Sequence, residues 1–383
     1  MESMIPRTTY SDEHELYRDA VHRFIAAEVT PHHRQWEEDG VVSREVWLKA
    51  GAAGFLCSNA PEQFGGAGAD FKFNAVFTEE LGRAGITGPG FAVHSDMVAA
   101  YILNFGSDAQ KARWIPKMAS GEVIAALGLT EPGAGSDLKA IKTTAVQDGD
   151  DYIINGQKTY ISNGQLCDIV VLACKTDITA GARGMSFVIV ESDRPGFSRG
   201  RNLDKLGLKA QDTSELFFAD VRVPVANRIG SEGQGFAIAM HNLAEERLSI
   251  AVSAIGACKG ILDYTIAYTK ERAVFGRMVS DFQNTRFKIA ELAAQTQALE
   301  VFVDRCVDLA VGKTLDPTTA AMAKMLAGEL QCRVADECLQ FYGGNGYMME
   351  YQIAHAYLDA RIRRIAGGSS EVMREIISRK IFS

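Results

Sequence analysis

Residues 127–137 read L-G-L-T-E-P-G-A-G-S-D. The glycines Gly128, Gly133 and Gly135 expose backbone N–H groups, and Thr130 and Ser136 add hydroxyls. A turn of this composition can hold a phosphate or a flat ring rich in heteroatoms. Alone it is more often an ordinary tight turn, because Gly and Pro collect wherever a chain reverses. Its place in the chain is more informative, for it closes a β-rich run over 123–130, where the texture of the sequence changes.

Before that point residues 11–122 read helical. Leu16, Ala20, Phe24 and Ala27 recur at spacings of three and four, and 46–53 and 73–81 continue the pattern. Asp12, after Ser11, offers a helix cap, and 61–70 (PEQFGGAGAD) is a Gly-rich loop. After it, 143–146, 152–154, 158–161, 169–173, 186–190 and 215–223 are short and β-rich. Asp148-Gly149-Asp150 and Asn155-Gly156 read as turns between strands. Strands spaced this regularly predict a small antiparallel barrel or sandwich.

From about residue 231 the helical period returns in long runs, 234–270, 281–312 and 316–342. Antiparallel helices of such length make a bundle. Gly343-Gly344-Asn345-Gly346 stops the third run, and Gly367-Gly368 precedes a last helix. The expectation is an α+β multidomain chain: a helical N-terminal domain over 1–122, an antiparallel β-barrel middle domain over 123–230, and a four-helix-type bundle over 231–383.

Composition narrows the function class. Of 383 residues, 47% are apolar and 23% charged, with a net charge of −8. These are globular values and argue against disorder and against a nucleic-acid binder, which needs a basic surface. The 36 glycines are a small excess, about 9% of the chain against about 7% in ordinary proteins. Residues 1–15 carry charges and no apolar core, so no targeting segment is expected and a cytoplasmic location is. No run of ~18 apolar residues predicts a membrane span. Seven cysteines, an odd number without C-x-x-C spacing, fit neither a disulfide framework nor a zinc site. H-E-x-x-H is absent, and no metal is expected.

Three further glycine clusters stand out. In Tyr160-Ile161-Ser162-Asn163-Gly164 an aromatic and a hydroxyl at a strand end could cover and hydrogen-bond a ring. Between two long helices, Arg272 could hold a pyrophosphate bidentately. Gly367-Gly368-Ser369-Ser370-Glu371 opens a helix, a ready anion site, beside Arg361, Arg363 and Arg364. Taken singly, a strand with an Asn-Gly turn accounts better for the first, a solvated Arg equally well for the second, and a capped surface helix is the alternative for the third.

One acid is out of place. Phe236, Ala239, Leu243, Glu246, Ile250, Ala254, Ala257 and Ile261 form one stripe, apolar except for Glu246. Glu245 falls about 100° away with His241, Asn242 and Ser249. Burying an unpaired carboxylate is costly and raises its pKa, which suits a general base. The competing reading is a stripe-edge Glu paired with Arg247 or Arg272.

Together these residues resemble the acyl-CoA dehydrogenase family, over nearly the whole chain. The resemblance rests on residues 130–137 (TEPGAGSD), 161–164 (ISNG), 213–216 (TSEL), Glu246-Arg247, Arg272 with Phe275-Gly276, Phe282-Gln283, 343–347 (GGNGY) with Glu350-Tyr351, and 368–371 (GSSE). It implies FAD, a homotetramer, an acyl-CoA substrate oxidised to the trans-2-enoyl thioester, and electron-transferring flavoprotein as acceptor. Leu127, Leu129, Thr130, Gly135 and Ser136 would line the flavin. Tyr160, where the family often has Trp, would cover the ring with Ile161, and Ser162, often Thr, would bond near N5. Arg272, Phe275, Phe282, Gln283, Gln340, Phe341, Gly343 and Gly344 resemble FAD contacts made across a dimer, and Ser369, Ser370 and Glu371 the last cofactor contacts. Ser136, Arg247, Gly367 and Gly368 would meet the substrate.

The base departs from the commonest pattern. Many members place a Glu where this chain has Gly367. The long-chain and isovaleryl enzymes place it earlier, immediately before an Arg, and that place is Glu246. The resemblance therefore implies Glu246 as base and the Gly367 N–H as a contact to the thioester carbonyl. Residues 94–96 (HSD), 209–213 (KAQDT) and 357–361 are most like the long-chain branch. The alternatives are a dehydrogenase or oxidase for an acyl group on a carrier protein, and a non-catalytic flavin-binding homologue.

Overall fold

A computed structural model describes residues 4–383. The helical first third holds α1 (Asp12–Phe24), α2 (Thr30–Asp39), α3 (Arg44–Ala52), α4 (Phe71–Arg83), α5 (Ala99–Phe105) and α6 (Asp108–Ala119). Ser11, rather than Asp12, sits at the cap of α1, where its N–H donates to His14 Nδ1 at 3.1 Å. Asp70 caps α4 by accepting from the Lys72 N–H, and Ser107 caps α6 by accepting from that of Gln110. A π-helical turn, Val93–Val98, runs directly into α5.

The middle third folds as one sheet of eight strands: β1 (Ala125–Gly128), β2 (Thr144–Asp148), β3 (Asp151–Ser162), β4 (Ile169–Lys175), β5 (Met185–Glu191), β6 (Phe197–Asn202), β7 (Thr213–Pro224) and β8 (Arg228–Ile229). The order is β6-β7-β3-β2-β4-β5-β8, with β1 added beside β4. Most ladders are antiparallel, but β1 and β2 lie parallel to β4, so the sheet is mixed rather than purely antiparallel. It curls around one core, since Leu216 and Phe218 of β7 share a cluster with Val188 and Val190 of β5, four strands away in the order.

Two local expectations change. Asn155-Gly156 is not a turn; the predicted strands 152–154 and 158–161 are halves of β3, and Gly156 sits at a shift in its register with β7. A side chain there would strike Thr143, whose Cα lies 2.7 Å from the place of a Cβ. The glycine thus lets β3 pass close to its neighbour instead of reversing the chain. Strand β6 is the second change. Its sequence F-S-R-G-R-N has one large apolar residue and lies half exposed at the sheet edge, so the period-2 signal is absent.

The last third holds α7 (Gly235–Glu271), a small ribbon of β9 (Ala273–Val274) and β10 (Arg277–Met278), then α8 (Gln283–Val311), α9 (Pro317–Gln340), α10 (Gln352–Ala360) and α11 (Ser370–Ile381). Helix α7 is the central one, packed by α4, α8 and α9. Its length and apolarity would suit a membrane span, but 67% of its most apolar window is buried inside the protein. A helix surrounded by other helices is apolar on every side. Gly256 and Gly260 let α4 come close, since a Cβ at either would lie 2.1 Å from a carbonyl of α4. A chain of buried charges reinforces this contact. Arg7 bonds Glu79 of α4 at 2.7 Å and Asp304 of α8 at 2.5 Å, and Lys259 of α7 bonds Glu79 at 3.0 Å and Glu300 at 2.7 Å.

Candidate active site

Glu246 lies in the first third of α7, buried to 5% exposure. The neighbouring Glu245 faces outward and pairs with Lys313 at 3.4 Å. Adjacent acids thus meet opposite surroundings, because successive helical residues are turned by about 100°. Glu246 has no ion pair among the described residues. Its Oε1 accepts a hydrogen bond from the Tyr101 O–H of α5 at 3.1 Å. Burial pushes the carboxyl up to about 7, against the pull of the Tyr101 hydroxyl and the Arg247 charge. Neither expected partner pairs with it: Arg247 is buried and turns away, and Arg272 lies 26 residues along the helix, about 39 Å at 1.5 Å per residue.

One turn beyond Glu246, Ile250 meets the loop before α11. A Cβ on Gly367 would lie 2.4 Å from Ile250 Cδ1, and Gly367 has φ +68°. The glycine is required twice over, by the left-handed backbone and by the close approach. Two buried cations hold the loop by its carbonyls. Arg247 Nε reaches the Gly367 oxygen at 3.5 Å, and Lys324 Nζ of α9 donates to the Gly368 oxygen. Burial, with Arg247 and Arg363 nearby, pulls the Lys324 amine down to about 8. Ser369 accepts from the Val372 N–H as the cap of α11, Ser370 is buried with its hydroxyl unpartnered, and Glu371 is exposed.

The 127–137 turn approaches from the β domain. Leu127, Leu129 and Ala134 share an apolar cluster with Tyr101, Phe187 and the α7 residues Ile238 and Ala239. A buried ion pair fixes the turn: Lys158 Nζ of β3 bonds Glu131 at 2.7 Å and the Leu129 carbonyl at 3.1 Å. Glu131 also accepts from the Lys142 and Thr143 N–H groups, and the Lys158 charge with these donors holds it below the usual carboxylate range against the effect of its burial. Gly133 and Gly135 have no positive φ, and a Cβ on either would meet nothing within 4 Å. Nothing within the chain requires glycine there, so their exposed backbone suits the approach of a group from outside. Thr130 and Ser162 are half-buried, Ile161 is buried, and Ser136 is exposed. Tyr160 stands 70% exposed at φ +59°, on the second register shift of β3. This open, hydroxyl-lined cradle under an aromatic fits a flat cofactor.

The remaining candidates lie elsewhere. Arg272, Phe275 and Phe282 sit between α7 and α8, Gln283 opens α8, and Gln340, Phe341, Gly343 and Gly344 lie at the end of α9. Tyr268 stacks on Tyr342 at 3.9 Å, which joins these two groups at the end of the bundle far from Glu246. Sequence reasoning missed Tyr101, Lys158 and Lys324. A lysine in the middle of a strand, or a tyrosine within A-A-Y-I-L-N-F, carries no pattern that marks it. Among the described residues no group of three His, Cys, Asp or Glu could hold a metal.

Models of the acyl-CoA dehydrogenase N-terminal domain, middle domain and C-terminal domain match residues 11–122, 126–221 and 233–382. The chain is 47% identical over 379 residues to the mouse mitochondrial long-chain specific acyl-CoA dehydrogenase, covering 98% of this chain and 88% of that one. It superposes with a TM-score of 0.96 on the crystal structure of an acyl-CoA dehydrogenase from Geobacillus kaustophilus, 44% identical, over 98% and 100% of the two chains. A solved chain described under the electron transferring flavoprotein of Acidaminococcus fermentans is 34% identical with a TM-score of 0.94, over 97% and 98%. Fold and matches define a FAD-dependent oxidoreductase. The chain belongs to the acyl-CoA dehydrogenase family.

Proposed function

We propose that this protein removes a proton and a hydride from the α and β carbons of an acyl-CoA thioester, giving the trans-2-enoyl-CoA, with Glu246 as base. The observation that carries this reading is the acid itself: buried, without a counter-ion, and one helical turn from Ile250, which packs against Gly367. Bound FAD supplies the hydride acceptor. A carboxyl pushed up to about 7 is matched to proton transfer near neutral pH. The Gly367 N–H donates to the thioester carbonyl and acidifies the α carbon. Arg247, Gly368 and Ser136 complete the substrate contacts.

Leu127, Leu129, Thr130, Gly135 and Ser136 hold the flavin from the turn, Tyr160, Ile161 and Ser162 from β3, and Ser369, Ser370 and Glu371 from the cap of α11. The far end of the bundle, with Arg272, Phe275, Phe282, Gln283, Gln340, Phe341, Gly343 and Gly344, serves the FAD of a second copy. The distance of about 39 Å along α7 supports this, for one flavin cannot meet both ends. The assembly is a homotetramer, and electrons leave to electron-transferring flavoprotein; the likeness to the Acidaminococcus chain favours that acceptor. The likeness to the mouse enzyme favours a long acyl chain. Glu246→Gln tests the base. The variant keeps its yellow FAD band and loses flavin bleaching by acyl-CoA by several orders of magnitude. Unchanged bleaching overturns the assignment. A panel of straight, branched and aromatic acyl-CoAs, with an acyl-carrier thioester alongside, reads the substrate.

A further inference from the structure

Glu246 is one residue of a larger arrangement, and its partner draws on every domain. Tyr101 belongs to α5 of the N-terminal domain. Its ring meets Phe187 of β5 edge-on, centroids 4.8 Å apart at 63°. Its hydroxyl reaches Glu246 of α7 at 3.1 Å. The side chain is wholly buried, with 0% exposure. A second bond from the same segment fixes the same stretch of helix: Ser249 Oγ, three residues after Glu246, donates to Asp96 Oδ2 at 2.6 Å. Asp96 also accepts from Asn74 Nδ2 at 2.8 Å and Thr78 Oγ1 at 3.3 Å. A third, Asn104 Nδ2 to Asn242 Oδ1 at 3.1 Å, lies one turn before the acid. The segment 93–105 is thus pinned to α7 at three successive points, with Tyr101 and Glu246 in the middle.

We propose that Tyr101 is the positioning residue of the base: its O–H holds one oxygen of Glu246 and leaves the other to take the proton. Only the Oε1 atom has a hydrogen-bond donor among the described residues. When the α C–H bond breaks, the new O–H forms on Oε2, and the Tyr101 hydroxyl keeps donating to Oε1, now the carbonyl oxygen of a carboxylic acid. The hydroxyl therefore serves both protonation states without turning, and the ring clamp on Phe187 prevents it from following a moving carboxyl. Its bond to the ionised form is the stronger one, so it opposes the upward push of burial on the carboxyl.

The charged and titratable groups around the acid are few. Tyr101 faces it from α5, Arg247 and the outward Glu245 lie on its own helix, Asp96 of the π segment bonds Ser249 one turn along α7, and Lys324 of α9 sits behind Gly368. Asp96 is itself raised to about 6, but the Tyr101 hydroxyl does not bond it.

The inference rests on Glu246 as base and is tested apart from it. Tyr101→Phe keeps the ring and removes the donor. Flavin bleaching by a saturating straight-chain acyl-CoA is followed from pH 5.5 to 9 in wild type and variant, with FAD content and KM measured beside it. The rate rises with pH as the base ionises. In Tyr101→Phe that rise moves up by about one pH unit, the size of a lost hydrogen bond to a charged group, and kcat at pH 6.5 falls by roughly ten-fold while FAD content and KM hold. A site-specific fluorotyrosine at position 101, a stronger donor of nearly the same size, moves the rise the opposite way, which a packing role would not. A pH profile unmoved in both variants overturns the proposal when Glu246→Gln is inactive. If Glu246→Gln still bleaches the flavin, the base reading itself fails.

Discussion

The two ends of the C-terminal bundle carry candidate motifs of similar strength in opposite surroundings. At one end Glu246, Ile250, Lys324 and the Gly367–Gly368 loop bury one another, and both loop carbonyls are held by buried cations. At the other end Arg272, Gln283, Gln340, Gly343 and Gly344 are exposed, and Phe275 projects with 95% of its surface free at φ +50°. The packing of this chain accounts for the residues at the first end. It does not account for those at the second, because an aromatic ring in water contributes nothing to the fold that holds it. The difference separates a cluster that the chain packs by itself from a surface that the chain leaves open.

That contrast can be broken from either side. After Glu246→Gln and Tyr101→Phe, the largest expected effect is at Gly367. Gly367→Ala forces a left-handed L-residue, at about 1–2 kcal/mol, and drives a methyl into Ile250. Denaturant unfolding should show a loss of at least that size with flavin bleaching impaired. An alanine tolerated without cost would mean that the loop does not sit against α7.

Lys324 gives a smaller effect with a defined sign. Its amine is about 8 in the folded chain against an ordinary 10.5. Below pH 8 both states hold the proton and the burial penalty is fully present. Between pH 8 and 10.5 the unfolded chain holds more protons, so this group makes stability rise with pH. Lys324→Met should lack that rise, so the wild type should gain stability relative to the variant from pH 7.5 to 9.5. A constant difference would show the amine to be unperturbed.

The smallest effect is at the far end. Phe275→Ala should change unfolding of the chain by no more than ~0.5 kcal/mol, while FAD is lost more readily on dilution. A large loss of intrinsic stability there would erase the contrast between the ends.

Much of this is legible in the residues, and the misses share a cause. Helices α7, α8 and α9 announce themselves because neither a strand nor a loop sustains a 3.6-residue period over more than twenty residues. Glu246 is visible as a polar break in an apolar stripe. What the sequence hides is whatever depends on a partner distant along the chain. Tyr101 is 145 residues from the acid it holds, and Lys158 is 27 from its own. Asn155-Gly156 misleads for the same reason: its local chemistry says turn, and only Thr143 across the sheet says strand. The exposed Arg272 and the buried Arg247 read alike until neighbours are placed around them.

The bond from Arg7 to Asp304 has a meaning for biosynthesis. The guanidinium and its acid are 297 residues apart. At about 5–20 residues per second of translation, the beginning of the chain waits roughly 15–60 s for α8 to leave the ribosome. For most of that interval Glu79 of α4 lacks Lys259 and α4 lacks α7, so the N-terminal helices emerge with Phe71, Ala75 and Glu79 of α4 uncovered. Synthesis of this protein should therefore depend on chaperones that hold the nascent first third, and a C-terminal truncation before residue 304 should release an N-terminal domain that aggregates rather than one that folds.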